Sequence, residues 1–367
     1  MKNYATKDIR NVVLLGSSKS GKTTLSEAML YEGKVIDRRG TVEAGTTVSD
    51  NTEFEQTNQK SVYATPLYAE FMNAKFNIID APGSDDFSGG ALSAFKVCET
   101  AILTVNAQQG VEVGTTIFSR YAKQYQVPMI IAVNQLDHEK ANWEQTRTSL
   151  KEEFGKSIAF VQFPVNPGTG FKSFIDVLTM KYYVFTDDNG TRESHDIPAE
   201  YADEAEMMHQ ELMETAAMGK DELLEKFFET MELSAEDMAK GLKIGVRDGS
   251  ICPVLCGSAM TGLGVEMLMQ TIIDLVPVAT DMPAEAAEDD DGNAIEVAID
   301  PEGATAAIVF KTISDQYGKY SMIKVVRGKV TSDMALYNVT TGNTEKLGRL
   351  YFMKGKKGEE TKEICCG

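Results

Sequence analysis

Residues 16–23 follow the pattern G-x-x-x-x-G-K-[ST], whose spacing is that of a loop that cradles phosphate groups. Its glycines let backbone N–H groups curl around the phosphates, and a lysine at the seventh position reaches the β- and γ-phosphates. The hydroxyl that follows is a Mg²⁺ ligand. An apolar, strand-like run precedes the motif and a helical pattern follows it, as this chemistry requires. The predicted binding loop comprises Gly16, Ser17, Ser18, Lys19, Ser20, Gly21, Lys22, Thr23 and Thr24.

A second apolar run ends in Asp80, Ala81, Pro82 and Gly83. There the Asp80 carboxylate can hold the Mg²⁺ shell, and the Gly83 N–H can meet a γ-phosphate. Taken alone, the four residues are also typical of a strand that ends in a turn. Together with the phosphate loop they favour a magnesium–phosphate site, with Lys22 and Gly83 as the groups nearest the reacting phosphate.

A third apolar run is followed by Asn134, Gln135, Leu136 and Asp137. An asparagine can bond the O6/N7 edge of guanine, and a carboxylate accepts from N1 and N2, which adenine does not present in that pattern. After a later strand-like run, Ser258 and Ala259 offer a backbone N–H to the guanine oxygen. These positions predict GTP or GDP, with Mg²⁺, over ATP.

The elements that position these motifs alternate between apolar strand-like runs and amphipathic helical stretches, which predicts an α/β fold with a doubly wound, mostly parallel sheet. A segment of about residues 160–249 interrupts the alternation. It opens with a strand-like run at 174–185 and becomes helical and rich in Glu and Met from residue 198. We interpret it as an inserted α+β subdomain, followed by a closing helix at 265–275.

The domain organisation that we predict has three parts. Residues 1–280 form the nucleotide-binding domain, and 281–304, where Pro and Ala mix with an acidic run around Asp290, have the composition of a linker. Residues 305–367 alternate as strands and predict part of an all-β barrel. They provide too few strands to close a barrel, so we expect the chain to be part of a longer protein.

The formal charge of −19 over 367 residues argues, by itself, against a nucleic-acid binder, so any RNA contact must be local. No apolar run approaches the roughly 18 residues that a membrane span needs. The five cysteines lack zinc-like spacing and are interpreted as reduced thiols of a cytosolic protein.

The four motifs and the inserted segment resemble the translational GTPases, and elongation factor G in particular, over nearly the whole chain. Further similar stretches lie at residues 227–230, 255–259, 272–277, 305–311 and 347–350. The resemblance implies a cytoplasmic, monomeric GTPase that binds the ribosome through ribosomal RNA and stalk proteins and promotes translocation. It implies no DNA or membrane partner, and further domains beyond this chain.

Four positions depart from the family pattern. The family's catalytic histidine, which orients the attacking water, is replaced by Ser84, and its Arg-Gly-Ile-Thr switch motif aligns with residues 58–61, so Ser61 stands in for the Mg²⁺-binding threonine. Lys19 replaces an aspartate that helps to hold a monovalent cation, and Gln135 replaces a lysine that packs over the base. Such divergence resembles the second branch of the elongation factor G family.

Losing one positioned acid–base group costs about 10²- to 10⁴-fold in rate, so we expect slow hydrolysis. An alternative is a ribosome-binding GTP switch with little or no hydrolysis, favoured by Ser84, Lys60 and Gln59. A phosphate-loop protein unconnected with ribosomes is a third possibility. The Lys19 ammonium is either a substitute for the bound cation or a solvated loop lysine.

Overall fold

A computed structural model describes residues 2–187, 190–289, 291–315 and 318–367, so Asp290, at the centre of the predicted acidic run, lies outside the described residues. In the part up to residue 280 the strands are β1 Ile9–Leu15, β2 Thr65–Phe71, β3 Ala74–Asp80, β4 Thr100–Asn106, β5 Met129–Asn134, β6 Ile158–Phe160, β7 Gln162–Val165, β8 Ser173–Asp176, β9 Lys181–Phe185, β10 Arg192–His195 and β11 Cys252–Cys256. The helices are α1 Lys22–Glu32, α2 Glu53–Asn58, α3 Ser88–Ala94, α4 Val113–Gln124, α5 Trp143–Phe154, α6 Ala199–Ala217, α7 Asp221–Thr230, α8 Ala235–Arg247 and α9 Val265–Leu275.

The central sheet has seven strands in the order β2-β3-β1-β4-β5-β11-β6. All neighbours pair in parallel except β2, which runs antiparallel to β3. The strands β1, β4 and β5 are buried along their whole length, as strands between two helical layers should be. The predicted doubly wound, mostly parallel sheet is confirmed. Since the order reverses beside β1, a ligand site is expected at the carboxyl ends of the central strands.

The inserted segment forms a four-stranded antiparallel sheet, β10-β9-β8-β7, and the helices α6, α7 and α8. The run at 174–185 is two strands, because the Asp176 carboxylate accepts from the N–H and hydroxyl of Thr179 and stabilises a turn between them. Among the methionines of α6, Met208 and Met213 are buried and Met207 is exposed.

From residue 282 onward, the regular elements of the part that the structure describes are all β-strands. Its strands are β12 Glu285–Glu288, β13 Ala294–Val297, β14 Ala306–Asp315, β15 Gly318–Arg327, β16 Lys329–Thr331, β17 Ala335–Asn338, β18 Asn343–Lys346, β19 Leu350–Lys354, β20 Lys357–Thr361 and β21 Glu363–Cys365. β12 and β13 pair as a hairpin inside the segment whose composition predicts a linker. We call residues 304–367 the β-domain; it has a small core of its own around Val325, Val330, Leu350 and Cys366.

The β-domain docks against the central sheet through a buried chain of polar groups. Lys324 of β15 forms an ion pair with Glu99, and both side chains are buried, at 8% and 2% exposure. The other carboxylate oxygen of Glu99 accepts from Asn11 Nδ2 at 2.8 Å, and Asn11 Oδ1 accepts from Asn77 Nδ2 at 2.6 Å. These contacts tie β15 to the neighbouring strands β1 and β3.

We expect Lys324→Met to lower the free energy of unfolding by about 3 kcal/mol, because it leaves the Glu99 carboxylate buried without its cation. Urea unfolding followed by circular dichroism measures the change. Lys329→Met is the matched control, since Lys329 pairs with Glu363 while 61% exposed, and such surface pairs contribute less than about 1 kcal/mol. Equal, small losses in both variants would contradict the prediction.

Among the described residues, none of the helices has both the length and the apolar character that crossing a membrane requires.

Candidate functional site

The predicted site residues lie together at the carboxyl ends of four strands of the central sheet, β3, β1, β5 and β11, with β4 between β1 and β5. Residues 16–24 join β1 to α1, residues 80–84 follow β3, residues 134–137 follow β5, and residues 258–259 follow β11. Ser61 reaches the same edge from the loop between α2 and β2. The structure therefore brings together positions that are up to 243 residues apart in the sequence.

The phosphate loop depends on glycine at two places. Gly16 and Gly21 have φ values of 135° and 91°, which side chains rarely adopt. A Cβ on Gly16 would lie 2.3 Å from the Thr104 carbonyl oxygen, and one on Gly21 would lie 2.2 Å from Asn134 Nδ2. Only glycine lets the loop wrap this tightly at the start of α1, where free N–H groups favour anions.

Lys22 occupies the centre of the loop. Its ammonium donates to the carbonyl oxygens of Gly16 at 3.1 Å and Ser17 at 2.9 Å. Burial lowers the pKa of Lys22 to about 8, and the charges of Asp80, Asp50 and Glu112 oppose that shift. A cation held among carbonyl groups in a buried loop is a strong partner for phosphate oxygens.

The metal side of the site is formed by two hydroxyls and a carboxylate. Thr23 Oγ1 donates to Asp80 Oδ2 at 2.8 Å and lies 3.2 Å from Ser61 Oγ. Asp80 is fully buried, and burial raises the pKa of its carboxyl group. Thr23, Ser61 and Asp80, the three residues predicted to hold Mg²⁺, thus form one contiguous cluster.

Asp50 is a further member of this cluster that sequence reasoning missed. It is 4% exposed, and burial, followed by the charge of Asp80, raises its pKa to about 6. One oxygen of each carboxylate, Asp50 Oδ1 and Asp80 Oδ1, is buried with no hydrogen-bond partner among the described residues. Two buried carboxylates with unsatisfied oxygens beside two hydroxyls fit Mg²⁺, which prefers oxygen ligands and completes its shell with substrate phosphates and water.

Two buried glutamates hold the loop that carries Asp50 and Ser61. The carboxylate of Glu27 on α1 accepts from the N–H groups of Gly40 at 2.8 Å and Val48 at 2.5 Å. Glu55 accepts from the N–H and hydroxyl of Thr52 in a capping box that starts α2. We call residues 34–64 the switch segment; it is fastened to α1 and to its own helix.

The turn after α2 brings the chain to Ser61. Gln59 ends the helix with a φ of 49°, a left-handed conformation that glycine adopts more readily. Lys60 then places its ammonium 5.4 Å from the centre of the Phe87 ring, in the loop after β3. The switch segment and the loop after β3 are therefore in contact beside the metal cluster.

The loop after β3 runs close to the phosphate loop. The Ala81 N–H donates to the Leu14 carbonyl at 3.3 Å, which continues the parallel pairing. Pro82 is buried, and a Cβ on Gly83 would lie 2.3 Å from Lys22 Nζ. Ser84 follows in an extended conformation, half-buried, as the first residue before a short 3-10 helix.

At the other end of the site, Asn134 joins the phosphate loop to the loop after β11. Its Nδ2 donates to the Ser20 carbonyl at 3.0 Å, and its Oδ1 accepts from the Ala259 N–H at 2.8 Å. Asp137 lies half-exposed three residues later. A direct contact of Asn134 with guanine stays a prediction; the structure shows that it fixes the two loops that would flank the base.

The remaining residues of these loops have supporting contacts. Leu136 is fully buried and Ser258 Oγ accepts from the Thr261 N–H at 3.2 Å. Gln135 donates from Nε2 to the Lys19 carbonyl at 2.9 Å, and its Oε1 accepts from Gln108 at 2.8 Å. Gln108 is a second residue that the sequence alone did not indicate.

Comparison with known proteins places this geometry in a family. Residues 7–278 match the family described as "Elongation factor Tu GTP binding domain". The chain belongs to this family. Residues 304–367 match the family described as "Elongation factor G domain 2". The chain is an elongation factor G-like translational GTPase, so the predicted GTPase class is confirmed.

The relatives that match are longer than this chain. It is 31% identical over 362 residues to proteins named "Elongation factor G" from Ureaplasma parvum serovar 3 and Ureaplasma urealyticum serovar 10, covering 98% of this chain and 52% of each relative. A crystal structure of a Thermus thermophilus protein superposes with a TM-score of 0.86 at 28% identity, covering 98% of this chain and 51% of that one. The chain thus spans about half the length of the curated relatives it matches.

In this translational GTPase the three histidines lie away from the loop after β3. His138 is in the loop after β5, His195 is on β10, and His209 is on α6 with Nδ1 2.5 Å from the Val177 carbonyl oxygen. Lys19 has a φ of 66° at the exposed tip of the phosphate loop. None of the three histidines lies in the loop after β3. There the residue that directly follows Gly83 is Ser84, whose side chain ends in a hydroxyl.

Proposed function

We propose that this chain is the GTP-binding part of a translation factor of the elongation factor G class, which binds the ribosome and couples GTP binding and hydrolysis to translocation. The observation that carries the proposal is the single cluster formed by Lys22, Thr23, Ser61 and Asp80 at the sheet edge. The domain division at residues 1–280, 281–304 and 305–367 is part of this proposal.

In this proposal Lys22 and the N–H groups of the phosphate loop bind the β- and γ-phosphates. Thr23, Ser61 and Asp80 hold Mg²⁺, and Asp50 is near enough to orient its water shell. When bound, the ion supplies charge neutralisation between the two phosphates. Asp137 accepts from the guanine N1 and N2 groups. Asn134 holds the phosphate loop and the loop after β11 in place on either side of the base.

Ser84 makes hydrolysis slow in this proposal. A serine hydroxyl at this position cannot take up a proton near neutral pH, whereas a histidine can. The groups that stabilise phosphate charge remain in place, so binding is retained while the attacking water loses its orienting base. The expected loss is about 10²- to 10⁴-fold relative to a histidine-bearing site.

A local contact with ribosomal RNA is supported by the charge of the β-domain. Residues 304–367 contain eleven Lys and Arg against six Asp and Glu, although the whole chain carries −19. Phosphate backbones attract such a surface. We propose the ribosome, including its stalk proteins, as the partner of a monomer that acts in the cytoplasm, with no DNA or membrane partner.

The second candidate is a GTP switch that binds the ribosome and hydrolyses little or nothing. Ser84 favours it, together with Gln59 and Lys60, which replace the glycine and apolar residue expected next to Ser61. In this case nucleotide binding alone orders the switch segment.

Phosphate release from GTP, measured with and without purified ribosomes, distinguishes the two candidates. Strong stimulation by ribosomes supports a GTPase in which another group orients the water. A flat rate, with GTP binding and ribosome co-sedimentation both demonstrated, supports the switch. Failure to co-sediment with ribosomes would overturn the ribosomal part of the proposal.

A further inference from the structure

The β-domain reaches the switch segment directly beside the metal cluster. Lys311 of β14 donates from its ammonium to the Ala64 carbonyl oxygen at 2.5 Å. The same ammonium lies 5.8 Å from the centre of the Tyr63 ring. Burial lowers the pKa of Lys311, and the charge of Glu55 opposes that shift. The contact is thus a partly desolvated, charge-assisted hydrogen bond, which is stronger than an exposed one.

Only two residues separate Ser61 from Ala64, and both are held. Glu55 Oε1 accepts from the N–H groups of Val62 at 3.0 Å and Tyr63 at 3.1 Å. Glu55 is itself 1% exposed, so its carboxylate is fixed. The backbone from Ser61 to Ala64 therefore has little freedom to move once Lys311 holds its far end.

The next residue joins this stretch to the metal side of the sheet. Thr65 opens β2 and pairs with Asp80 at the end of β3. Ser61 Oγ, at the near end of the stretch, lies 3.2 Å from Thr23 Oγ1. Moving Ala64 would therefore shift Ser61 relative to both Thr23 and Asp80.

We propose that Lys311 is a positioning residue for the metal site: by holding Ala64 it fixes the place at which Ser61 presents its hydroxyl beside Thr23. Through this contact the β-domain sets how well the nucleotide-binding domain holds Mg²⁺ and a γ-phosphate. The inference rests on the proposed function, because it takes Ser61 to be a Mg²⁺ ligand.

Binding of guanylyl imidodiphosphate, a GTP analogue that is not hydrolysed, tests this independently of any hydrolysis rate. The analogue carries a group at the γ-position that can engage the metal side of the site, and GDP lacks it. The informative comparison is therefore between the analogue and GDP, each with and without Mg²⁺.

Calorimetric titration gives the dissociation constants directly. We expect Lys311→Met to weaken binding of the Mg²⁺-bound analogue by about tenfold, the loss of one charge-assisted hydrogen bond of about 1.4 kcal/mol. GDP affinity should stay within about twofold, since GDP has no γ-phosphate for the Ser61 side of the site to engage. Lys311→Arg, which keeps a donor and a charge, should restore most of the affinity.

Lys354→Met is the matched control. Lys354, also in the β-domain, donates to the Val35 carbonyl at 2.8 Å, at the opposite end of the switch segment from Ser61. This variant removes the same kind of contact and should leave the analogue and GDP affinities close to those of the unmodified protein. Retained GDP binding in each variant also shows that the protein is folded.

A Ser61→Ala variant separates failure of the inference from failure of the proposed function. If Ser61→Ala keeps the full Mg²⁺-dependent preference for the analogue, the proposed metal ligand is wrong and the role of Lys311 falls with it. If Ser61→Ala loses the preference but Lys311→Met keeps it, only the role of Lys311 is wrong. Equal losses for GDP and the analogue in Lys311→Met would likewise overturn the inference, since the effect would then not be specific to the metal side.

Discussion

Replacing Asp137 by asparagine is expected to weaken GTP binding by about 10²- to 10⁴-fold, because in the proposed site its carboxylate accepts two hydrogen bonds from guanine, and bonds to a charged group contribute about 1.5–3 kcal/mol each. An asparagine amide presents one acceptor and one donor, so its donor would face the N2 amino group of guanine. Xanthine carries a carbonyl oxygen at that position. The same variant should therefore gain affinity for xanthosine triphosphate.

Competition between the two nucleotides for a fluorescent guanine nucleotide measures both changes. Glu139→Gln is the matched control, because it removes the same charge two residues further on at an exposed position. Unchanged GTP affinity in Asp137→Asn would show that Asp137 does not face the base, and the assignment of the guanine end of the site would be wrong.

Replacing Ser84 by histidine is the second change with a large expected effect. Ser84 follows Gly83, whose backbone runs against Lys22, and lies half-buried at the start of a short 3-10 helix. A histidine there supplies a ring nitrogen that can orient water and accept its proton near neutral pH. We expect kcat for ribosome-stimulated GTP hydrolysis to rise by about 10²- to 10⁴-fold.

Phosphate release under single-turnover conditions measures that rate without interference from product release. Ser88→His, four residues on at the similarly half-buried first residue of α3, controls for the mere presence of an imidazole. An unchanged rate in Ser84→His would place the defect elsewhere, and Ser61 and Lys19 are then the positions to change together with it.

The nucleotide loops could be predicted from sequence because each follows a buried strand. Asp80 and Asn134 end mostly buried, largely apolar strands, and parallel strands bring their carboxyl ends to one edge of the sheet. That these loops lie close together can therefore be predicted without knowing any contact between residues distant in the sequence.

Asp50 could not be predicted in this way. It lies in the switch segment, which shows neither helical nor strand periodicity around it, and reaches the site only because Glu27 and Glu55 fasten that segment from two sides. The contact of Lys311 with Ala64 is harder still to predict from the sequence, because the two residues are 247 positions apart. Contacts of this range depend on how the β-domain docks, which no local pattern encodes.

The amino-acid composition of residues 281–304 did not predict the hairpin of β12 and β13. The acidic residues and alanines of this region are typical of a linker, yet Asp289 accepts from the N–H of Asn293 and closes a turn at Gly292. A turn rich in Asp, Gly and Asn between short alternating runs favours a hairpin. Local turn chemistry, more than overall composition, thus accounts for the structure of this part.

The uneven distribution of charge has a consequence for how the molecule approaches a polyanion. Because residues 304–367 carry a positive surplus while the chain as a whole carries −19, the molecule has an electric dipole with the β-domain at its positive end. Near a polyanion this dipole experiences a torque that turns the β-domain towards the polyanion before contact. This orienting effect extends over about 8 Å, the Debye length at physiological ionic strength. Added salt should therefore slow association, by making more encounters begin with the acidic side facing the partner.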